Sequence, residues 1–170
     1  MLEFNAENGR EKRTIAKIQE GGEEVAIHPQ IIFNGNCKEV LAYYEGVFGV
    51  TDVSVIHYGD NPGSKLDEDL KELILEAAVP LYGDYLLLSD AMPGKPATFG
   101  SNFHVSIRSE ELGEMKADFN KLAESGKVIF EFEESYWSEA YGVVEDKFGV
   151  QWQFDYRKSE AGSPDENTDQ

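Results

Sequence analysis

Tyr141-Gly142-Val143-Val144-Glu145-Asp146-Lys147-Phe148-Gly149-Val150-Gln151-Trp152-Gln153-Phe154 is the stretch on which the reading of this chain turns. Two runs of strand formers, 141–144 and 150–154, flank a polar pentad that ends in Gly149. A short hairpin loop closes through a positive φ, and Gly149 supplies one without steric cost. Strand side chains alternate, so Val150, Trp152 and Phe154 point one way and Gln151 and Gln153 the other. Such a strand suits a sheet packed on one face and open to a small molecule on the other. Just upstream, Tyr136-Trp137-Ser138 brings more aromatic surface to the same place.

Outward from this hairpin the chain repeats itself. Upstream of it lie a strand at 103–107, a candidate N-cap at Ser109, a helix burying Leu112, Met115, Phe119 and Leu122, a stop at Gly126 and a strand at 127–132. The closing strands are 141–144 and 150–156. Phe103, Val105 and Ile107 share one face of the opening strand, with His104 and Ser106 on the other. An earlier block has the same order. A strand at 30–33 turns through Asn34-Gly35-Asn36, the last a helix cap. The helix buries Val40, Leu41, Tyr44, Val47 and Phe48 and stops at Gly49. Strands at 53–58, 73–79 and 85–88 follow, with an acidic, solvated loop containing Asp60, Asp67, Glu68 and Asp69. Two βαβββ modules in tandem make an α+β protein with an internal repeat. The expected divisions are a charged arm at 1–26, a first module at 27–91, a linker at 92–100, a second module at 101–157 and a disordered acidic tail at 158–170.

Charge and composition exclude several functions. The 170 residues carry 33 acidic and 15 basic side chains, a net charge of −18 that repels nucleic acid and anionic lipid. No apolar run approaches the length of about 18 residues that a membrane span needs. Cys37, the single cysteine, forms neither an intramolecular disulfide nor a cysteine zinc site. It opens a helix, a place that lowers thiol pKa values, yet lacks a histidine partner in any motif and reads as packing. Met1-Leu2-Glu3-Phe4-Asn5 lacks the features of a signal peptide, so a cytoplasmic location is expected.

The order of elements, with Phe33-Asn34-Gly35-Asn36-Cys37, Tyr43-Tyr44, Phe48-Gly49, Leu88-Ser89-Asp90-Ala91 and Asp146-Lys147-Phe148-Gly149-Val150-Gln151-Trp152, resembles the vicinal oxygen chelate superfamily. This superfamily holds glyoxalases, bleomycin-resistance proteins and extradiol dioxygenases. Within it the chain looks most like the PhnB-like family, over residues 28–156. The resemblance implies the glyoxalase/bleomycin-resistance fold, two modules whose sheets form an incomplete barrel with a ligand cup, and a homodimer. Some PhnB-like sequences carry a label as a ubiquinone-pathway methyltransferase. The chain has no glycine-rich strand-to-helix turn of the kind a Rossmann methyltransferase uses.

The same resemblance places two metal-ligand positions at His104 and Gln153, where metal-dependent members hold a divalent ion such as zinc, nickel, manganese or iron. Gln153 stands where glutamate is usual, and a neutral amide is a weaker ligand. The third position falls in His28-Pro29-Gln30, with Pro29 in register. The fourth falls near Ser89, with Asp90 on the other strand face. Proline cannot coordinate, so this set is short of the three protein ligands that a catalytic zinc needs. The candidate ligand-binding side chains are His104, Gln153, Tyr136, Trp137, Tyr141 and Phe33. His104 and Glu76 are the candidates for moving a proton. Each has a plainer reading: His104 as a hydrogen-bonded histidine, the aromatics as core, Glu76 as an exposed residue of an alternating strand where many PhnB-like sequences have histidine. Two functions stay open. One is a binder that sequesters a small aromatic or amphipathic molecule in the cup between the modules. The other is a metal-dependent glyoxalase- or dioxygenase-type enzyme, a lyase, transferase or oxidoreductase. A module that meets a protein partner through its acidic ends is a third.

Overall fold

The structure, a computed structural model, describes residues 27–63 and 65–157; the arm at 1–26 and the tail at 158–170 lie outside the described residues. The chain divides into two compact units between Phe99 and Gly100. The first runs β1 (Gln30–Phe33), α1 (Cys37–Phe48), β2 (Ser54–His57), a 3-10 turn (Tyr58–Asp60), the short α2 (Glu68–Lys71), β3 (Ile74–Leu81) and β4 (Asp84–Asp90). The second runs β5 (His104–Ser109), α3 (Leu112–Ser125), β6 (Lys127–Glu133), β7 (Ala140–Glu145) and β8 (Gln151–Tyr156). Each unit holds one four-stranded sheet, ordered β1-β4-β3-β2 and β5-β8-β7-β6. The first and last strands of a unit lie side by side and parallel, and the other pairs are antiparallel. The twice-repeated βαβββ order expected from the sequence is the order found. Part of the segment expected to be an acidic loop is the turn of helix α2, which starts after Asp67 and is tied by an ion pair between Lys71 and Glu68.

Both long helices form for the reason their spacing suggests. On α1, Val40, Leu41, Tyr44 and Val47 are buried, and Gly49 ends the helix in the left-handed conformation at φ 65°. On α3, Met115, Phe119 and Leu122 are buried, whereas Leu112, expected in the core, is 41% exposed on the first turn. Both helix starts differ from expectation. Asn36 makes no side-chain cap; the Cys37 N–H donates instead to Asp90 Oδ1 at 3.0 Å, from the far end of β4. The other oxygen of this buried carboxylate accepts the Ile74 N–H at 2.9 Å. Ser109 stands two residues before the N-cap, Glu111, and its Oγ accepts the Glu111 N–H at 3.1 Å. Sequence spacing cannot show a cap delivered across the fold.

The hairpins obey local chemistry. β3 continues through Pro80, past the expected end at Val79, because the turn needs its two central residues at Tyr82 and Gly83, both at positive φ. The loop between β7 and β8 closes around Asp146. Its Oδ1 accepts the N–H groups of Phe148 and Val150 at 2.8 and 3.0 Å, and its Oδ2 accepts Trp152 Nε1 at 3.0 Å. Gly149 takes the expected positive φ, 83°. Among the described residues no helix is long and apolar enough to cross a membrane.

Candidate functional site

In the second unit the Phe119 ring of α3 packs on Phe132 and Phe154, with centroids 5.5 and 5.7 Å away. Trp152 and Phe154 are fully buried. Strand alternation then puts the other side chains on the helix-free face: His104, Ser106 and Arg108 from β5, Gln151, Gln153 and Asp155 from β8, and Tyr141 from β7. His104 and Gln153 share this face on adjacent strands, two residues out of step. His104 is paired with Gln151, and Gln153 with Ser106.

Gln153 is held at both ends of its amide. Its Oε1 accepts the Tyr141 hydroxyl at 3.0 Å and its Nε2 donates to Ser106 Oγ at 3.1 Å. The Tyr141 ring meets Trp137 edge-on at 5.3 Å, and Trp137 meets Tyr136 at 4.5 Å. Trp137 is 48% exposed and Tyr136 95%. Polar and aromatic side chains therefore form one continuous strip, Ser106–Gln153–Tyr141–Trp137–Tyr136. His104 is exposed on the same face.

The first unit carries a smaller version. Ile32 pairs with Ser89 and Phe33 with Asp90, so Gln30 and Ser89 share the helix-free face, and Gln30 Nε2 donates to Ser89 Oγ at 3.3 Å. Pro29, expected in register, precedes the strand and uses its carbonyl to accept the Leu87 N–H at 3.0 Å; Gln30 takes the position. His28 lies off the strand, its Nδ1 3.3 Å from Asp84 Oδ1 and its ring edge-on to Tyr85. Glu76 is half-buried on β3, paired with Ile56. Phe33, expected at the ligand, is 1% exposed on the helix-packed face, because it is in step with Asp90 rather than with Ser89. Asp90 faces the helix, as its strand parity requires.

Two groups have moved from their ordinary acidity. Burial, with the charge of Asp90 beside it, pushes the Cys37 thiol up from 9.0 to about 12. A helix start by itself favours the thiolate, but complete burial reverses this, and Cys37 packs in the core as its sequence context suggests. Burial also raises Asp155, but hydrogen bonds from Ser138, Arg157 and Arg108 and the Arg157 charge outweigh it and hold the carboxyl below 3.8. Sequence reasoning singled out neither Asp146 as the centre of its loop nor the Arg108–Asp155–Arg157 cluster. Parity alone signals the cluster, since Arg108 is two residues beyond Ser106 and Asp155 two beyond Gln153.

The donors poorly suit a metal. Gln30 with Ser89 and His104 with Gln153 offer amides, a hydroxyl and one imidazole, with no carboxylate in either pair, and the Gln153 oxygen already accepts a phenol. Hard divalent ions are held by anionic oxygen, and zinc by three strong ligands. Among the described residues, no three His, Cys, Asp or Glu side chains come together in a group suited to a metal ion.

Two open four-stranded sheets, each with a parallel first-and-last pair and one long helix, define the glyoxalase/bleomycin-resistance fold of the vicinal oxygen chelate superfamily. Comparison with known proteins agrees. The chain belongs to the PhnB-like family, whose model, described as 3-demethylubiquinone-9 3-methyltransferase, matches residues 25–154. It is 32% identical to Protein YjdN of Escherichia coli over 143 residues, covering 79% of this chain and 97% of that protein. Among solved structures it is similar to protein PA1353 of Pseudomonas aeruginosa, at 30% identity and TM-score 0.68, covering 79% of this chain and 98% of that one. A putative 3-demethylubiquinone-9 3-methyltransferase, the PhnB protein of Bacillus cereus, is 22% identical with TM-score 0.59 and coverages of 77% and 98%. The fosfomycin resistance protein FosX of Listeria monocytogenes, solved with manganese(II) and a dihydroxypropylphosphonic acid, shares the fold at 14% identity, TM-score 0.52 and coverages of 81% and 95%.

Proposed function

We propose that the protein binds a small planar organic molecule on the helix-free face of its second unit. The observation that carries this reading is the hydrogen-bonded series Tyr141–Gln153–Ser106 running directly into half-exposed Trp137. A buried or half-buried amide fixed at both ends is an orienting group, and an exposed indole beside it is a stacking surface. In this reading the protein works as a homodimer in the cytoplasm, as supported by the habit of the superfamily and the single cysteine. The methyltransferase activity in the family's description is not part of the proposal. The turn from β1 into α1 carries one glycine, Gly35, and the turn from β5 into α3 carries none, so neither matches the cofactor loop of a Rossmann methyltransferase.

Tryptophan fluorescence tests the proposal. Trp152 is 0% exposed and hydrogen-bonded, so a ligand-dependent change reports Trp137. A panel of planar aromatics should yield at least one compound with a saturable change. Trp137→Phe should abolish that change, and Gln153→Ala should weaken binding by about tenfold, roughly the contribution of one hydrogen bond. No saturable response across the panel sinks the reading.

A further inference from the structure

Among the described residues there are two arginines, Arg108 and Arg157, and both converge on one carboxylate. Arg108 donates from Nε and approaches from Nη2, each 3.1 Å from Asp155 Oδ2. Arg157 Nε lies 3.3 Å from Oδ1 and 3.1 Å from Oδ2. The Asp155 side chain is 4% exposed, while those of Arg108 and Arg157 are 65% and 48% exposed. One buried carboxylate cannot satisfy two guanidiniums, each with five N–H donors in a fixed fork. The cluster keeps one net positive charge, with unspent donors on the exposed side. Asp155 acts as the fixed post that sets both forks in place.

Its position ties it to the aromatic strip. Asp155 is directly opposite Tyr141 on one side and Arg108 on the other. Tyr141 in turn carries the ring of Trp137. The positive cluster and the stacking surface thus meet at the end of the sheet where β5 and β8 finish and β7 begins. The net charge of −18 opposes an anion at long range, but at about 0.15 M salt such fields decay over roughly 8 Å, so the nearby guanidiniums decide.

Resting on the binding reading above, we infer that the ligand is an aromatic carboxylate, its ring on Trp137 and Tyr136 and its carboxylate on Arg108 and Arg157. Paired planar forks match a carboxylate bidentately, which a lone lysine does not.

Calorimetric titration with 2-naphthoate and its neutral counterpart 2-naphthamide tests this at about 0.15 M NaCl. The expected result is 2-naphthoate binding at least about tenfold tighter, equivalent to one charge-assisted hydrogen bond. Changing Arg108→Gln with Arg157→Gln should erase the preference and leave 2-naphthamide binding within about twofold, as expected when only a charge contact is lost. Should the glutamine variant lose its near-ultraviolet circular dichroism, Arg108→Lys with Arg157→Lys keeps the charge on Asp155 and should still lose most of the preference. Equal binding of the two probes overturns the inference while leaving the binding reading intact. So does a preference that survives in the folded variants, or failure of both probes in a protein that binds another aromatic of the panel. If nothing in the panel binds, both readings fall.

Discussion

Asp146 shows how much one side chain can hold. It is 4% exposed and receives two backbone N–H groups and an indole N–H. Removing it strands two buried donors and one half-buried donor together, so Asp146→Ala should cost about 3 kcal/mol in urea unfolding, with the midpoint shifted and the slope unchanged. A loss under about 1 kcal/mol means that water replaces the carboxylate at little cost. Gly149, in the same loop, was legible in the sequence because positive φ is a local demand. The role of Asp146 was not, because its indole partner lies on the next strand. Cys37 makes the same point through acidity. Its folded pKa of about 12 lies above the ordinary value of 9.0, so the folded state keeps the proton that the unfolded state releases. Stability from this group is complete below pH about 9 and declines as pH rises toward 12. Between pH about 8.5 and pH about 10 the protein should lose roughly 1 kcal/mol more than a Cys37→Ala variant, measured by denaturant unfolding at both values. An equal loss in the two proteins shows that the thiol does not titrate in this way.

At the scale of elements, α3 and β6 both come close to β7 at Gly142. A Cβ there would come within 2.8 Å of Phe132 Cα and 2.9 Å of the Phe119 ring. Gly142→Ala should therefore force the helix and β6 apart and cost about 2 kcal/mol, read as a lower thermal midpoint with lost near-ultraviolet signal. An unchanged midpoint means that the Phe119 ring swings aside freely. Element order and the alternation of β8 were legible because periodicity is written along the chain. Register was less so: the opening strand shows its first helix-free side chain at Gln30, not Pro29, and Ser106 rather than His104 stands beside Gln153. Pairing between strands some fifty residues apart leaves no mark in either strand alone.

The repeat was the most legible feature of the whole molecule, since two similar blocks predict two similar units. The charge balance acts at this scale too. With a net charge of −18, folding gathers like charges, and salt relieves them. Raising sodium chloride from about 0.01 M to about 1 M shortens the screening length from roughly 30 Å to roughly 3 Å. The melting temperature should rise by about 3 °C, or about 1 kcal/mol. A fall would place net attraction, rather than repulsion, in the surface charges. The two long helices also start differently. The second has a hydroxyl two residues before its cap, whereas the first borrows an acceptor from Asp90, 53 residues further along. On a ribosome, α1 emerges long before the carboxylate that completes it. Its first turn waits for translation to deliver β4, while α3 holds its own starting group at birth.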